Sequence, residues 1–202
     1  VKGQIALSDI AIGTQAKGEG FDFVVDVALA ADLAKTAVDI ELIKIGLGEM
    51  LIRIEGKFSQ KDGIPRFEGV KVDSENLNLG ALQKMVPDLG GALPPGAVLD
   101  GPLTLAVKAD GDTSKQAVKV DVDMTKTTLK IPAALSKSDG VPLRFLLDAD
   151  VSSSDVNLRK LGLTVADMAF ALSGDIKNLE DPTIDIKGGT GPFSINGIAR
   201  LL

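Results

Sequence analysis

The sequence predicts a mainly β protein: an antiparallel, curled and twisted sheet built from a duplicated unit of about 116–120 residues, with a short helix in each copy. Three observations predict it. Most of the chain alternates apolar and polar residues with period two. Glycine- and aspartate-rich turn signals punctuate the alternating runs. Related stretches also recur at a nearly constant spacing.

The alternation runs as follows. In "FDFVVDVAL", Phe21, Phe23, Val25, Val27 and Leu29 share one face, and Asp22 and Asp26 the other. "DIELIKIGL" offers Ile40 and Leu42 as apolar positions beside Lys44. "MLIRIEGKF" sets Met50, Ile52, Ile54 and Phe58 against Arg53, Glu55 and Lys57. "PLTLAVKADG" gives Leu103, Leu105 and Val107, and "AVKVDVDM" gives Val118, Val120, Val122 and Met124 opposite Lys119, Asp121 and Asp123. "LRFLLDADV" and "ADMAFAL" follow the same rule, with Phe145, Leu147 and Phe170 on their apolar sides. Antiparallel strands with one apolar and one wet face produce this pattern. Turns are expected at "KDG" (Lys61), "DGD" (Asp110) and "SDG" (Ser138). Two stretches break the rule. In "NLGALQKMVP", Leu79, Leu82, Met85 and Val86 fall at helical spacing, Asn78 is a good cap, and Pro87 stops the turn. A second short helix is expected after Ser194, through Ile195, Ile198, Leu201 and Leu202.

The repeat is carried by "DIELIKIGL" (39–47) and "DVNLRKLGL" (155–163), in which Lys44 and Lys160 stand 116 positions apart. Leu77, Leu79, Leu82 and Met85 match Phe193, Ile195, Ile198 and Leu201 at the same offset. Between them Gly56 faces Gly174 and Pro65 faces Pro182, while Lys17 and Gly20 match Lys137 and Gly140 at an offset of 120. Small insertions in turns account for the drift. The expected units are 1–117 and 118–202, the second truncated at its helix. The chain opens on Val1 and stops inside an element whose first copy runs on to a proline, so a piece of a longer protein is expected.

Composition excludes several functions. The chain has no His, Cys, Trp or Tyr, and its aromatic residues are all Phe. The commonest general base and metal ligand is therefore missing, as are thiol nucleophiles and disulfides. A net charge of −6 without a basic run argues against nucleic acid. No stretch reaches the ~18 apolar residues of a membrane helix. "DADVSSSD" (148–155) resembles half a calcium loop but lacks its central glycine and terminal glutamate. Asp121 and Asp123 share a strand face with no acid partner, and "GGTGPF" near Gly188 lacks the lysine of a phosphate loop. No enzymatic activity, no cofactor and no bound metal are expected. Lys44 and Lys160 are expected on a solvated strand face; the alternative is that they pair with a carboxylate or cap a groove edge.

"VDMTKTTLKIPAALSKSDGVPLRFLLDADV" (122–151) resembles the C-terminal region of AsmA-family proteins, with Asp123, Thr125, Lys137, Gly140, Pro142 and Leu143 in the places of that family's motif. "LDGPLTLAVKADG" (99–111) is similar to its glycine–proline–leucine strand, and "DPTIDIKGGTGPFSINGIARLL" (181–202) to its short helical insert. The resemblance implies a periplasmic segment of a protein anchored in the bacterial inner membrane by a part outside this chain. It also implies lipid handling between membranes, or outer-membrane biogenesis, through an apolar β-groove. The partners expected are a phospholipid or another acyl-chain lipid, and adjoining repeats of the same chain. The lining candidates are Val25, Val27, Ile40, Leu42, Ile52, Ile54, Leu105, Val120, Phe145, Leu147, Leu163 and Phe170. The alternative is a structural or interaction β-module with a closed core and no small ligand.

Overall fold

A computed structural model describes residues 1–10, 21–32, 34, 36–85, 94–192 and 194. Each run marked by the alternation falls on a strand, and further strands lie outside those runs. The first seven strands are β1 (Lys2–Ile10), β2 (Phe21–Asp32), β3 (Ala37–Leu47), β4 (Met50–Lys61), β5 (Ile64–Glu75), β6 (Val98–Asp100) and β7 (Thr104–Asp112). Then follow β8 (Lys115–Asp123), β9 (Thr128–Ile131), β10 (Leu135–Lys137), β11 (Leu143–Ser152), β12 (Val156–Val165), β13 (Met168–Lys177) and β14 (Thr183–Thr190). Eleven of them form one antiparallel sheet in the order β1-β2-β3-β4-β5-β7-β8-β11-β12-β13-β14, which does not close on itself. The other three, β10-β9-β6, form a small second sheet. The large sheet runs unbroken past residue 117, in the middle of β8, which pairs with β7 on one side and β11 on the other.

Turn chemistry closes the hairpins. Asp62 and Gly63 both take left-handed φ, 53° and 79°, and Lys61 pairs with Ile64 across them. This is the two-residue turn that Asp-Gly favours. The turn expected at Asp110 lies further on. There β7 and β8 stay paired out to Gly111 and Gln116, and Asp112 receives the amides of Ser114 and Lys115 at 2.8 and 3.1 Å. At the third signal, Gly140 has φ 78° and donates its amide to the Thr125 carbonyl at 2.9 Å.

The first expected helix is α1 (Leu79–Met85). Asn78 caps it, its side-chain oxygen accepting the Ala81 amide at 2.9 Å. A Cβ on Gly80 would lie 2.4 Å from the Leu99 carbonyl, so glycine is what lets the helix close on β6. The second expected helix, over 195–202, lies outside the described residues.

Burial concentrates at the helix end of the large sheet. Met50, Leu77 and Leu103 form its buried centre, with Leu47, Ile52, Ala81, Leu82, Leu105, Val122 and Met124 packed around them. Among the described residues, the only other buried apolar side chains are Leu143 and Ala149. Most of the other described apolar side chains on the strands are partly buried or exposed.

Several bulges interrupt the register, and two of them correspond. In β3, Ile40 pairs with Gly56 and Ile43 with Ile54, so Glu41 and Leu42 together face Glu55. In β12, Leu158 pairs with Gly174 and Leu161 with Leu172, so Arg159 and Lys160 together face Ser173. Gly56 and Gly174 share a φ of 147°. Each bulge is followed by a two-residue hairpin whose first residue, Gly48 or Ala166, has φ 58° or 54°. The bulges, their glycines and the hairpins recur at an offset of 118, whereas the nine-residue sequence match lies at 116. By this register Lys160 stands where Leu42 stands, and Lys44 where Gly162 stands.

Candidate functional site

Paired residues on neighbouring antiparallel strands point to the same side, so the register traces each face across the sheet. One cross-strand row reads Gly3–Val27–Ile43–Ile54–Val72–Val107–Val120–Leu147–Leu161–Leu172–Gly188. It touches all eleven strands of the large sheet and carries no polar side chain. At ~4.8 Å per strand it is about 48 Å wide.

The adjacent row carries Ile5, Val25, Ile45, Ile52 and Ser74, then Leu105, Val122, Phe145, Leu163, Phe170 and Thr190. Ser74 joins the two runs, its hydroxyl accepting the Leu105 amide at 2.9 Å. On the other flank Leu29 pairs with Ile40, and Ala149 with Leu158.

Eleven of the twelve lining candidates lie on this face: Val25, Val27, Ile40, Ile52, Ile54, Leu105, Val120, Phe145, Leu147, Leu163 and Phe170. Leu42 does not. The β3 bulge inserts one residue between Ile40 and Ile43, so Leu42 pairs with Ala28 and turns to the opposite side with Asp26 and Lys44. Residues absent from the candidate list, among them Ile43, Val72, Leu161, Leu172 and Ile186, extend the same face. Leu163 and Phe170, paired with each other, keep 39% and 36% of their surface in solvent, and Ile184 on β14 keeps 60%. At the other end of the sheet α1 closes over Met50 and Leu103.

The opposite face is charged and laced by ion pairs. Arg53 meets Glu75 at 2.6 Å, Arg144 meets Asp121 at 2.5 Å, and Arg159 bridges Asp148 and Asp150. Lys119 adds a contact to Asp148 at 3.7 Å. Asp148 and Asp150 of the calcium-like stretch are thus paired with cations of this face, while Asp155 accepts the Ser154 hydroxyl and the Asn178 amide. Lys44 lies opposite Asp26 and Arg53, and Lys160 opposite Asp148, so both lysines are on the wet side. A recess of 620 Å³ opens on that side, floored by Leu146, Gly162, Ala171 and Gly189 with Arg144 and Lys160 at its rim.

The residues that carry the family resemblance meet in one place, where the chain passes from β8 to β11. Lys137, 1% exposed, donates to the carbonyls of Thr125 at 3.0 Å, Thr127 at 2.5 Å and Ser138 at 3.1 Å. Asp123 accepts the Thr125 amide at 2.8 Å, and the Thr125 hydroxyl and amide together hold its carboxyl below the usual carboxylate range. The Pro142 carbonyl takes the Ala166 amide at 2.8 Å, and Leu143 is buried. The motif is a clamp on the loop, and only Leu143, two residues before Phe145 on β11, reaches the side of the apolar face.

No family model, no curated protein and no solved structure matches the chain. Among the described residues no helix is long and apolar enough to cross a membrane.

Proposed function

We propose that the chain is a periplasmic segment of an AsmA-like envelope protein, anchored in the inner membrane elsewhere, which carries lipid acyl chains along the apolar face of its large sheet. The observation that carries this reading is the uninterrupted apolar row from β1 to β14 in a sheet that does not close. Each methylene sheltered there contributes ~0.8 kcal/mol, so an acyl chain laid across several strands is held without any polar contact. Such binding needs no catalytic group, and the chain acts as a carrier or conduit rather than an enzyme. The recurrent bulges and their glycines support descent of the sheet from a duplicated, curling unit. The alternative, a structural module, called for a closed core, whereas Leu163, Phe170 and Ile184 stand in solvent.

The test uses Phe170→Asp and Leu163→Asp, far from the packed helix end. On an open face the new carboxylate stays hydrated, so circular dichroism is unchanged while crosslinking to a photoactivatable phospholipid falls. Lipid in organic extracts of the purified wild-type protein, absent from the variants, supports the reading. Wild-type protein that neither carries nor crosslinks lipid overturns it.

A further inference from the structure

We infer that β14 is a self-association edge, pairing antiparallel with β14 of a second copy about a two-fold axis beside Ile186. Among the described residues β14 is bonded to β13 on one side and has no strand on the other, and all eight of its residues are exposed. The strand itself carries no proline and no bulge of the kind that blunts an edge.

Antiparallel pairing about a two-fold permits shifts of two residues only, because backbone donors point outward at every second position. The central choices therefore place Asp185, Ile186 or Lys187 on the axis. Centring on Asp185 sets carboxylate against carboxylate, and centring on Lys187 sets ammonium against ammonium. Centring on Ile186 sets Asp185 against Lys187 of the second copy, twice. It also places Ile184 opposite Gly188, beside the Leu172 side chain, and Thr183 opposite Gly189, around which there is open space. Neither Asp185 nor Lys187 forms an ion pair among the described residues, and on its inner side Asp185 faces a like charge, Asp175. A lysine from the second copy supplies the cation that β13 does not.

A two-fold axis normal to the sheet keeps both apolar faces on the same side. Ile186, 40% exposed, then meets its symmetry mate, Ile184 lies beside Gly188 of the second copy, and the apolar rows run on from one copy into the next. This pairing does not depend on the lipid reading, since it rests on the edge alone.

Sedimentation across a concentration series tests it. The wild type is expected to dimerise, Asp185→Lys and Lys187→Asp each to weaken the dimer about tenfold or more, and the double exchange to restore it. The chain has no cysteine, so Ile186→Cys gives a single thiol. Across the axis its Cα atoms lie ~5 Å apart, within disulfide reach, whereas those of Lys187→Cys lie beyond ~7 Å. Oxidation is expected to crosslink the first and not the second. A monomer at every concentration, a dimer indifferent to both single reversals, or equal crosslinking at the two positions overturns the inference.

Discussion

Lys137 is a buried ammonium held by three backbone carbonyls. Its place in a motif is legible, but its burial and three carbonyl partners come from the folded loop. Lys137→Met removes a charged donor and strands those carbonyls, at about 2–4 kcal/mol, to be measured by urea unfolding with circular dichroism. Burial lowers its pKa, and the charges of Asp139 and Asp123 only partly oppose this. The unfolded chain then holds the proton more tightly. The stability that wild type loses to burying the charge is regained as pH rises through the folded pKa towards the usual lysine value. Lys137→Met is expected to lack that alkaline gain. The acid side runs the other way. Hydrogen bonds from Arg144 to Asp121, and from Thr125 to Asp123, lower both carboxyl pKa values. Their contribution is full above the usual carboxylate range and disappears as pH falls through the lowered values. Thermal scans of Asp121→Asn and Asp123→Asn should converge with wild type at the acid end.

At the scale of elements the bulges decide most. Gly174 and Gly56 hold φ 147°, where a Cβ would lie 2.0 Å from the Asp185 carbonyl and 2.8 Å from Val70 Cα. Alanine at either is expected to cost about 3 kcal/mol or more, by strain plus backbone displacement. At Gly63, φ 79° with open space around it, alanine should cost only about 1 kcal/mol. Hydrogen exchange should show Gly174→Ala releasing the amides of β14 in particular. The bulges leave a mark in the sequence: the alternation slips phase at the adjacent apolar pair Leu42–Ile43 and at the adjacent polar pair Arg159–Lys160. Reading Ile40 and Leu42 as one face passes over that slip. The offset of 116 has a related cause, since a period-two pattern matches itself at every even shift. Only the pairing partners distinguish 116 from 118. Asn78, by contrast, is a local signal and was readable; Asn78→Ala should cost about 1 kcal/mol of stability.

At the scale of the molecule, the large sheet keeps much of its apolar surface in water. Unfolding therefore exposes less new area than for a compact protein of the same length, and the urea m-value should be correspondingly lower. A urea titration checks this, and a value typical of a compact protein of this length would mean that the apolar face is covered in solution. Saturating lipid is expected to raise the unfolding midpoint in proportion to the logarithm of its concentration.

The sequence by itself determined the alternating strands it marks, the Asp62–Gly63 turn, the Asn78 cap and the two-faced character of the sheet. Each depends on neighbours within a few residues, through side-chain alternation, left-handed φ or a local hydrogen bond. The tertiary structure decided the rest: that β1 to β14 join as one open sheet, that Leu42 turns to the wet side, and that burial gathers under α1. Alternation records which side of a strand is apolar, but not what lies against it. That depends on closure and on contacts between residues far apart in the chain, and here the sheet leaves its edges unpaired and its apolar face half in water.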